Sequence, residues 1–210
     1  GMSITFMAKP NDREGNSCHI HLSLRDRAGK GVLAGDGPHG LSPLGENFLA
    51  GQLAGLRELV LFHAPNINSY KRYVAGSFAP TAIRWGVDNR TCAMRLVGHS
   101  PSSLRVENRV PGGDVNPYLA LAAMLAGGLH GIENRLELEP ALEGNAYVSG
   151  RPQVPHTLRE ARDAFHDSAI ARAALGDDVV DHYTNMADVE LAAFDAAVTD
   201  WELRRSFERM

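Results

Sequence analysis

Cys18-His19-Ile20-His21-Leu22-Ser23-Leu24 alternates apolar and polar side chains. Successive strand residues point to opposite faces, so as a strand this stretch presents His19, His21 and Ser23 on one side. Cys18, Ile20, Leu22 and Leu24 fall on the other. Leu104-Arg105-Val106-Glu107-Asn108-Arg109-Val110 repeats the pattern. Arg105, Glu107 and Arg109 share one face, and Leu104, Val106 and Val110 lie opposite. The apolar faces read as core. The polar faces set neutral imidazoles beside a carboxylate held between two guanidiniums. Such a wall suits a metal and an anionic, phosphate-bearing substrate.

Outward from these two stretches, residues 3–8, 82–87 and 91–97 also read as strands, and residues 17–25 and 103–110 bound the two quoted ones. Residues 26–42 are glycine-rich and form a loop or hairpin. Ser42 caps a helix with Pro43 at its first position, and Phe48, Leu49, Leu53, Leu56 and Val60 recur at helical spacing until Pro65. Residues 66–80 form a polar loop. Asn116 and Pro117 start a second helix that runs to about residue 134. Residues 135–156 are irregular, with Pro140, Pro152 and Pro155. Thr157 and Glu160 form a capping box for a helix ending at Gly176, and a longer helix covers about 178–207. Strands first and helices afterwards predict an α+β class: an antiparallel sheet forming one wall of the site, covered by helices, with a helical C-terminal third.

At 210 residues with 44% hydrophobic content, the chain is sized for one domain. No apolar run reaches the roughly 20 residues that span a bilayer. No secretory signal is visible at the start. Residues 3–8 alternate like a strand already under way, so the chain is expected to begin inside a larger protein. Cys18 and Cys92 have no metal-type spacing and read as reduced, buried thiols of a cytoplasmic protein. Trp85, Trp201 and the methionines read as packing. The net charge of −4 argues against a nucleic-acid partner. Residues 1–110 carry 13 Lys and Arg against 8 Asp and Glu, and residues 111–210 carry 8 against 17. A positive cleft in an acidic protein suits a small anionic substrate, although solvated acidic helices alone produce the same asymmetry.

Each polar group has a plainer alternative. A His-x-His pair can be two packed histidines, and an Arg–Glu–Arg strand can be a solvated surface face worth little energy. Against the second stands the number of further arginines close in sequence: Arg72, Arg84, Arg90 and Arg95. Their fixed fork of donors suits carboxylates and phosphates.

In series, these pieces resemble the C-terminal catalytic domain of the glutamine synthetase family. The likeness is carried by Lys9-Pro10, the turn Gly15-Asn16-Ser17-Cys18, and His19-Ile20-His21-Leu22-Ser23. It continues through Asn68-Ser69-Tyr70-Lys71-Arg72, Ala79-Pro80, Asn89-Arg90-Thr91 with Arg95, Arg105-Val106-Glu107-Asn108-Arg109 and Asn116-Pro117-Tyr118. Ser17 departs from the smaller residue expected in the turn. The resemblance implies an ATP-dependent ligase that activates the γ-carboxyl of glutamate as γ-glutamyl phosphate. It implies Mg²⁺ or Mn²⁺ as cofactor, with ATP, glutamate and an amine as substrates and a ring-forming homo-oligomer as the assembly. By the same resemblance His19 and Glu107 are metal ligands, and His21, Ser23 and Arg105 contact nucleotide. Arg72 and Arg109 hold glutamate carboxylates, and Arg90 and Arg95 stabilise the transferring phosphoryl group.

Two departures bear on function. The family places a glutamate before Ala79-Pro80, where it binds and deprotonates ammonium. Here that position is Phe78, which points to an alkylamine or polyamine as nucleophile. The wording of the chain looks most like the γ-glutamyl-polyamine and γ-glutamyl-ethanolamine ligases. The family's other metal carboxylates lie on upstream strands not contained in residues 1–210, and its small N-terminal domain is also missing. The chain therefore reads as a single partial domain, expected to be inactive alone. Ordinary glutamine synthesis from ammonia and a non-catalytic scaffold role remain the alternatives at this level.

Overall fold

The computed structural model describes residues 1–148 and 153–209. A four-stranded sheet carries the polar face. Its strands are β1 (Ile20–Leu22), β2 (Trp85–Val87), β3 (Met94–Val97) and β4 (Arg105–Asn108), in the order β1-β4-β3-β2. β4 is central and antiparallel to both neighbours, with His21 and Arg95 each opposite Glu107. The α+β architecture holds, but the sheet is mixed, because β2 and β3 run parallel. So short a parallel return needs a sharp reversal. Asp88 supplies it at φ 49°, and the Asn89 Oδ1 accepts from the Thr91 amide and hydroxyl at 3.0 and 2.7 Å.

The helices are α1 (Pro43–Leu59), α2 (Ile67–Tyr70), α3 (Pro117–Glu133), α4 (Leu158–His166), α5 (Ala169–Leu175), α6 (Asp177–Ala196) and α7 (Asp200–Ser206). The Ser42 Oγ accepts from the Gly45 amide and the Asn116 Oδ1 from the Tyr118 amide, so both expected caps form. α1 and α3 cross where neither has side chains. A Cβ on Gly51 would lie 2.2 Å from the Gly127 carbonyl oxygen, and one on Gly131 would lie 2.1 Å from that of Asn47. This contact seats α1 in a core of Phe48, Leu49, Leu56, Phe62, Leu96, Val106 and Phe165.

Several expectations need correction. Residues 3–8 form no strand; residues 3–7 are exposed, and Ala8 is buried with its carbonyl accepting from the Asn16 amide at 2.8 Å. The polar loop at 66–80 contains the single turn α2, closed by the Asn66 amide donating to the Ser69 Oγ at 3.0 Å. The helix expected to reach residue 175 is broken at Ser168. Its hydroxyl caps α5 through the Ala171 amide and donates to Glu58 on α1 at 2.6 Å, a tertiary contact that outweighs helix continuity. The long final helix breaks after Ala196, and Thr199 caps α7. Trp201 on α7 is 66% exposed and is not a packing residue, whereas Trp85 is buried. Cys92 is buried and Cys18 half-buried, both as free thiols. Pro152 lies outside the described residues.

Behind β4 lies a buried histidine. The Asn108 Oδ1 accepts from the Val110 amide at 3.0 Å, which turns its Nδ2 toward the His63 Nε2 at 3.3 Å. Nε2 is then the acceptor, and the ring is neutral. Burial lowers the His63 pKa from 6.5 to about 4. Between these values the unfolded chain binds a proton that the folded chain refuses, so stability falls as pH drops from about 6.5 to about 4. We expect a loss on the order of 3 kcal/mol across this window. Urea midpoints of the full-length protein measured against pH should show it, and His63→Leu should flatten that part of the profile.

Candidate active site

Glu107 is the centre of the polar face. Its side chain is 3% exposed, yet both oxygens are engaged. Oε1 lies 3.2 Å from the His19 Nδ1 and 3.7 Å from the His21 Nε2. The same oxygen accepts from the Arg109 Nη1 at 3.0 Å, and Oε2 accepts from the Arg95 Nη1 at 3.1 Å. These contacts follow from register. His21, Glu107 and Arg95 form one row across β1, β4 and β3, and His19 and Arg109 lie at the adjoining strand ends. Burial alone would raise the Glu107 pKa. The His19 hydrogen bond and the guanidiniums of Arg109 and Arg95 outweigh burial and bring it down to about 2. The carboxylate is therefore charged at any physiological pH.

The two histidines differ. The Arg105 Nε donates to the His21 Nδ1 at 3.1 Å, so the His21 proton sits on Nε2, facing Glu107. Burial, and the charge of Arg105, lower the His21 pKa against the pull of Glu107, which keeps the ring neutral. His19 instead brings Nδ1 to the carboxylate. The 3.2 Å between the His19 Nδ1 and the Glu107 Oε1 is a hydrogen-bond separation, and the Arg109 Nη1 lies 3.0 Å from that oxygen and 3.4 Å from that nitrogen. An imidazole nitrogen and a carboxylate oxygen are donor types that suit a divalent cation, which would displace the Arg109 contact. Among the described residues no three His, Cys, Asp or Glu side chains are grouped to hold an ion.

The expected arginines converge unequally. Arg95, Arg105 and Arg109 meet at the Glu107 face. Arg90 contributes its carbonyl, which accepts from the Arg109 Nε at 3.2 Å, while its side chain is exposed. Burial lowers the Arg109 pKa, Glu107 opposes this, and the nearby charges of Arg95 and Arg90 add to it. Arg72 is buried one step further along, where its guanidinium donates to the Val110 carbonyl and lies over the Tyr73 ring at 5.1 Å. Ser23 does not reach Glu107. It lines a neighbouring cleft of about 490 Å³ with Arg25, Lys30 and Ser102. Phe78 joins the face through its main chain: its carbonyl accepts from the Arg109 Nη2 at 3.3 Å, and the residue is 58% exposed.

Three further contributors are placed by tertiary contacts. Asp88 pairs with the Arg95 Nη2 at 2.9 Å. Asn68 bonds both the amide and the carbonyl of Lys9, at 2.8 and 3.0 Å, and so clamps the Lys9-Pro10 segment to the α2 loop. The Tyr147 hydroxyl donates to the Ala79 carbonyl at 3.0 Å. All three are pairings over sequence distances that no local pattern encodes. Asn68 opens the motif Asn68-Ser69-Tyr70-Lys71-Arg72.

Comparison with known proteins gives a consistent setting. Residues 1–206 match the family described as "Glutamine synthetase, catalytic domain". The chain is 65% identical over its whole length to γ-glutamylethanolamide synthetase GlnA4 of Streptomyces coelicolor, covering 45% of that protein. It is 46% identical over 98% of its length to a glutamate–isopropylamine ligase of a Pseudomonas species, covering 46% of it. Among solved structures, a GmaS/ADP complex superposes with a TM-score of 0.87 at 34% identity, over 98% of this chain and 49% of that one. The chain thus spans about half the length of the curated relatives it matches.

Proposed function

The chain belongs to the glutamine synthetase family, and on that premise we propose that the full-length protein is an ATP-dependent ligase joining the γ-carboxyl of glutamate to an alkylamine or polyamine. The glutamate oxygen attacks the γ-phosphorus and ADP leaves. The amine nitrogen then attacks the acyl carbon, gives up a proton and releases phosphate. Phosphoryl transfer of this kind depends on positioning and charge neutralisation rather than on covalent chemistry by the protein. In this reading His19 and Glu107 hold the Mg²⁺ or Mn²⁺, which neutralises phosphate charge when bound. His21, Ser23 and Arg105 contact nucleotide, Arg72 and Arg109 hold glutamate, and Arg90 and Arg95 meet the charge that develops on the transferred group. Arg90 suits that role because its side chain is exposed beside the buried Arg109.

The observation that carries the amine assignment is Phe78. Its exposed side chain stands where the family has an acid, and a phenyl group can neither accept a proton nor form an ion pair with ammonium. It can cover methylenes of a larger amine. The amines named for the two relatives, ethanolamine and isopropylamine, support this. Activity is assigned to the full-length protein, a cytoplasmic homo-oligomeric ring, and this partial domain alone is expected to be inactive. Among the described residues no helix is long and apolar enough to cross a membrane.

The test is turnover of the full-length protein with ammonium, ethanolamine, isopropylamine and putrescine. At least one alkylamine should exceed ammonium in kcat/KM, and Phe78→Glu should cut that alkylamine's kcat/KM by about 10- to 100-fold, the worth of one or two covered methylenes. Equal or better use of ammonium by the wild type would remove the amine assignment.

A further inference from the structure

Residues 74–80 hold a backbone shape fixed partly from within, by the Ser77 Oγ, which also accepts from the Ala79 amide at 3.3 Å, and partly from outside. Phe78 lies at φ 58°, the left-handed region that disfavours a bulky residue, and its ring is exposed, so core packing does not keep it there. Such a conformation persists only where the surroundings fix it. Here one bond lies within the loop and two come from outside it, all to main-chain carbonyls. The Ser77 Oγ donates to the Val74 carbonyl at 2.6 Å, the Arg109 Nη2 donates to the Phe78 carbonyl, and the Tyr147 hydroxyl donates to the Ala79 carbonyl.

Tyr147 belongs to the 3₁₀ turn Ala146–Val148, which is anchored independently of the loop. The Ala146 amide donates to the Thr91 Oγ1 at 2.9 Å, and the Asn89 Nδ2 donates to the Gly144 carbonyl at 2.8 Å. The turn is thus fastened to the Asn89-Arg90-Thr91 reversal, which rests on the sheet. Burial raises the Tyr147 pKa, so the hydroxyl stays protonated and able to donate.

We propose that Tyr147 is a positioning residue for amine selectivity: its bond to the Ala79 carbonyl holds Phe78 in the left-handed conformation that presents the ring to the incoming amine. What the ring meets rests on the amine-ligase reading above. The clamp itself rests only on the contacts described. Without the hydroxyl, the Ala79 carbonyl turns to water and the loop samples conformations in which the ring is displaced.

The test uses the full-length protein and Tyr147→Phe, with ethanolamine, isopropylamine and ammonium as acceptors. The variant should raise KM for the preferred alkylamine about fivefold, the equivalent of one hydrogen bond, with kcat and the ATP KM within about twofold. Amide hydrogen exchange across residues 74–80 should accelerate by a similar factor. In a Phe78→Gly background, where glycine adopts the positive φ freely, Tyr147→Phe should add nothing to the amine KM. A wild type that prefers an alkylamine, combined with a variant that keeps both amine KM and exchange, overturns the proposal and leaves the reading intact. A wild type without that preference fails the reading and takes the selectivity role with it. Equal losses for every substrate together with a lower Tm mean a general strut, and also overturn the proposal.

Discussion

Glu107→Gln in the full-length protein should reduce ligase turnover by at least about 10²–10³-fold while leaving the fold in place. Glutamine keeps the volume and one acceptor, but it loses the charge that draws in His19, Arg95 and Arg109. It also removes the anionic member of the proposed metal pair, His19 and Glu107. Glu107→Ala is expected to behave differently. It strands the largely buried guanidinium of Arg109, and breaking a buried pair in this way costs about 3–5 kcal/mol. Both variants remove the counter-charge of Arg109 and lower stability, and alanine, which also removes the hydrogen-bond acceptor and the volume, should lower it further. Single-turnover rates at saturating ATP should collapse for both, and Tm should drop more for the alanine. A glutamine variant with near-normal turnover would remove Glu107 from the proposed metal site.

The second large effect lies far from the chemistry. Gly131→Val should unfold the domain or cost more than about 3 kcal/mol, the upper range for overpacking a close-fitted core. A Cβ there meets the Asn47 carbonyl oxygen at 2.1 Å and the Gly51 Cα at 2.6 Å, both backbone atoms that cannot rotate away. Relief requires α1 and α3 to separate, which opens the core around Phe48 and Leu56. Gly144→Val, at a position where a Cβ meets nothing within 4 Å, is the comparison, with only the strain of its φ of 90° against it. Denaturant midpoints for the two should differ severalfold in free energy. Similar midpoints would show that the helix contact yields more readily than its geometry indicates.

The alternation of residues 18–24 and 104–110 was enough to put His19, His21, Glu107 and Arg109 on one face, because the two-residue period of a strand is a local property of the backbone. Ser42, Asn116 and Thr157 announced their helices for the same reason: a cap is made by residues three or fewer positions apart. The signature motifs also carried the family, and Phe78 stood out as a single changed residue type. Tertiary structure decided everything that depends on partners distant in sequence. Register placed Arg95 opposite Glu107, the reversal at Asp88 made β2 parallel to β3, and the Ser168 bond to Glu58 cut one expected helix in two. Arg72 and Ser23 left the central cluster because neighbouring backbone and a separate cleft claimed them. Local pattern fixes which face a side chain takes; only the packed chain fixes which other side chains it meets there.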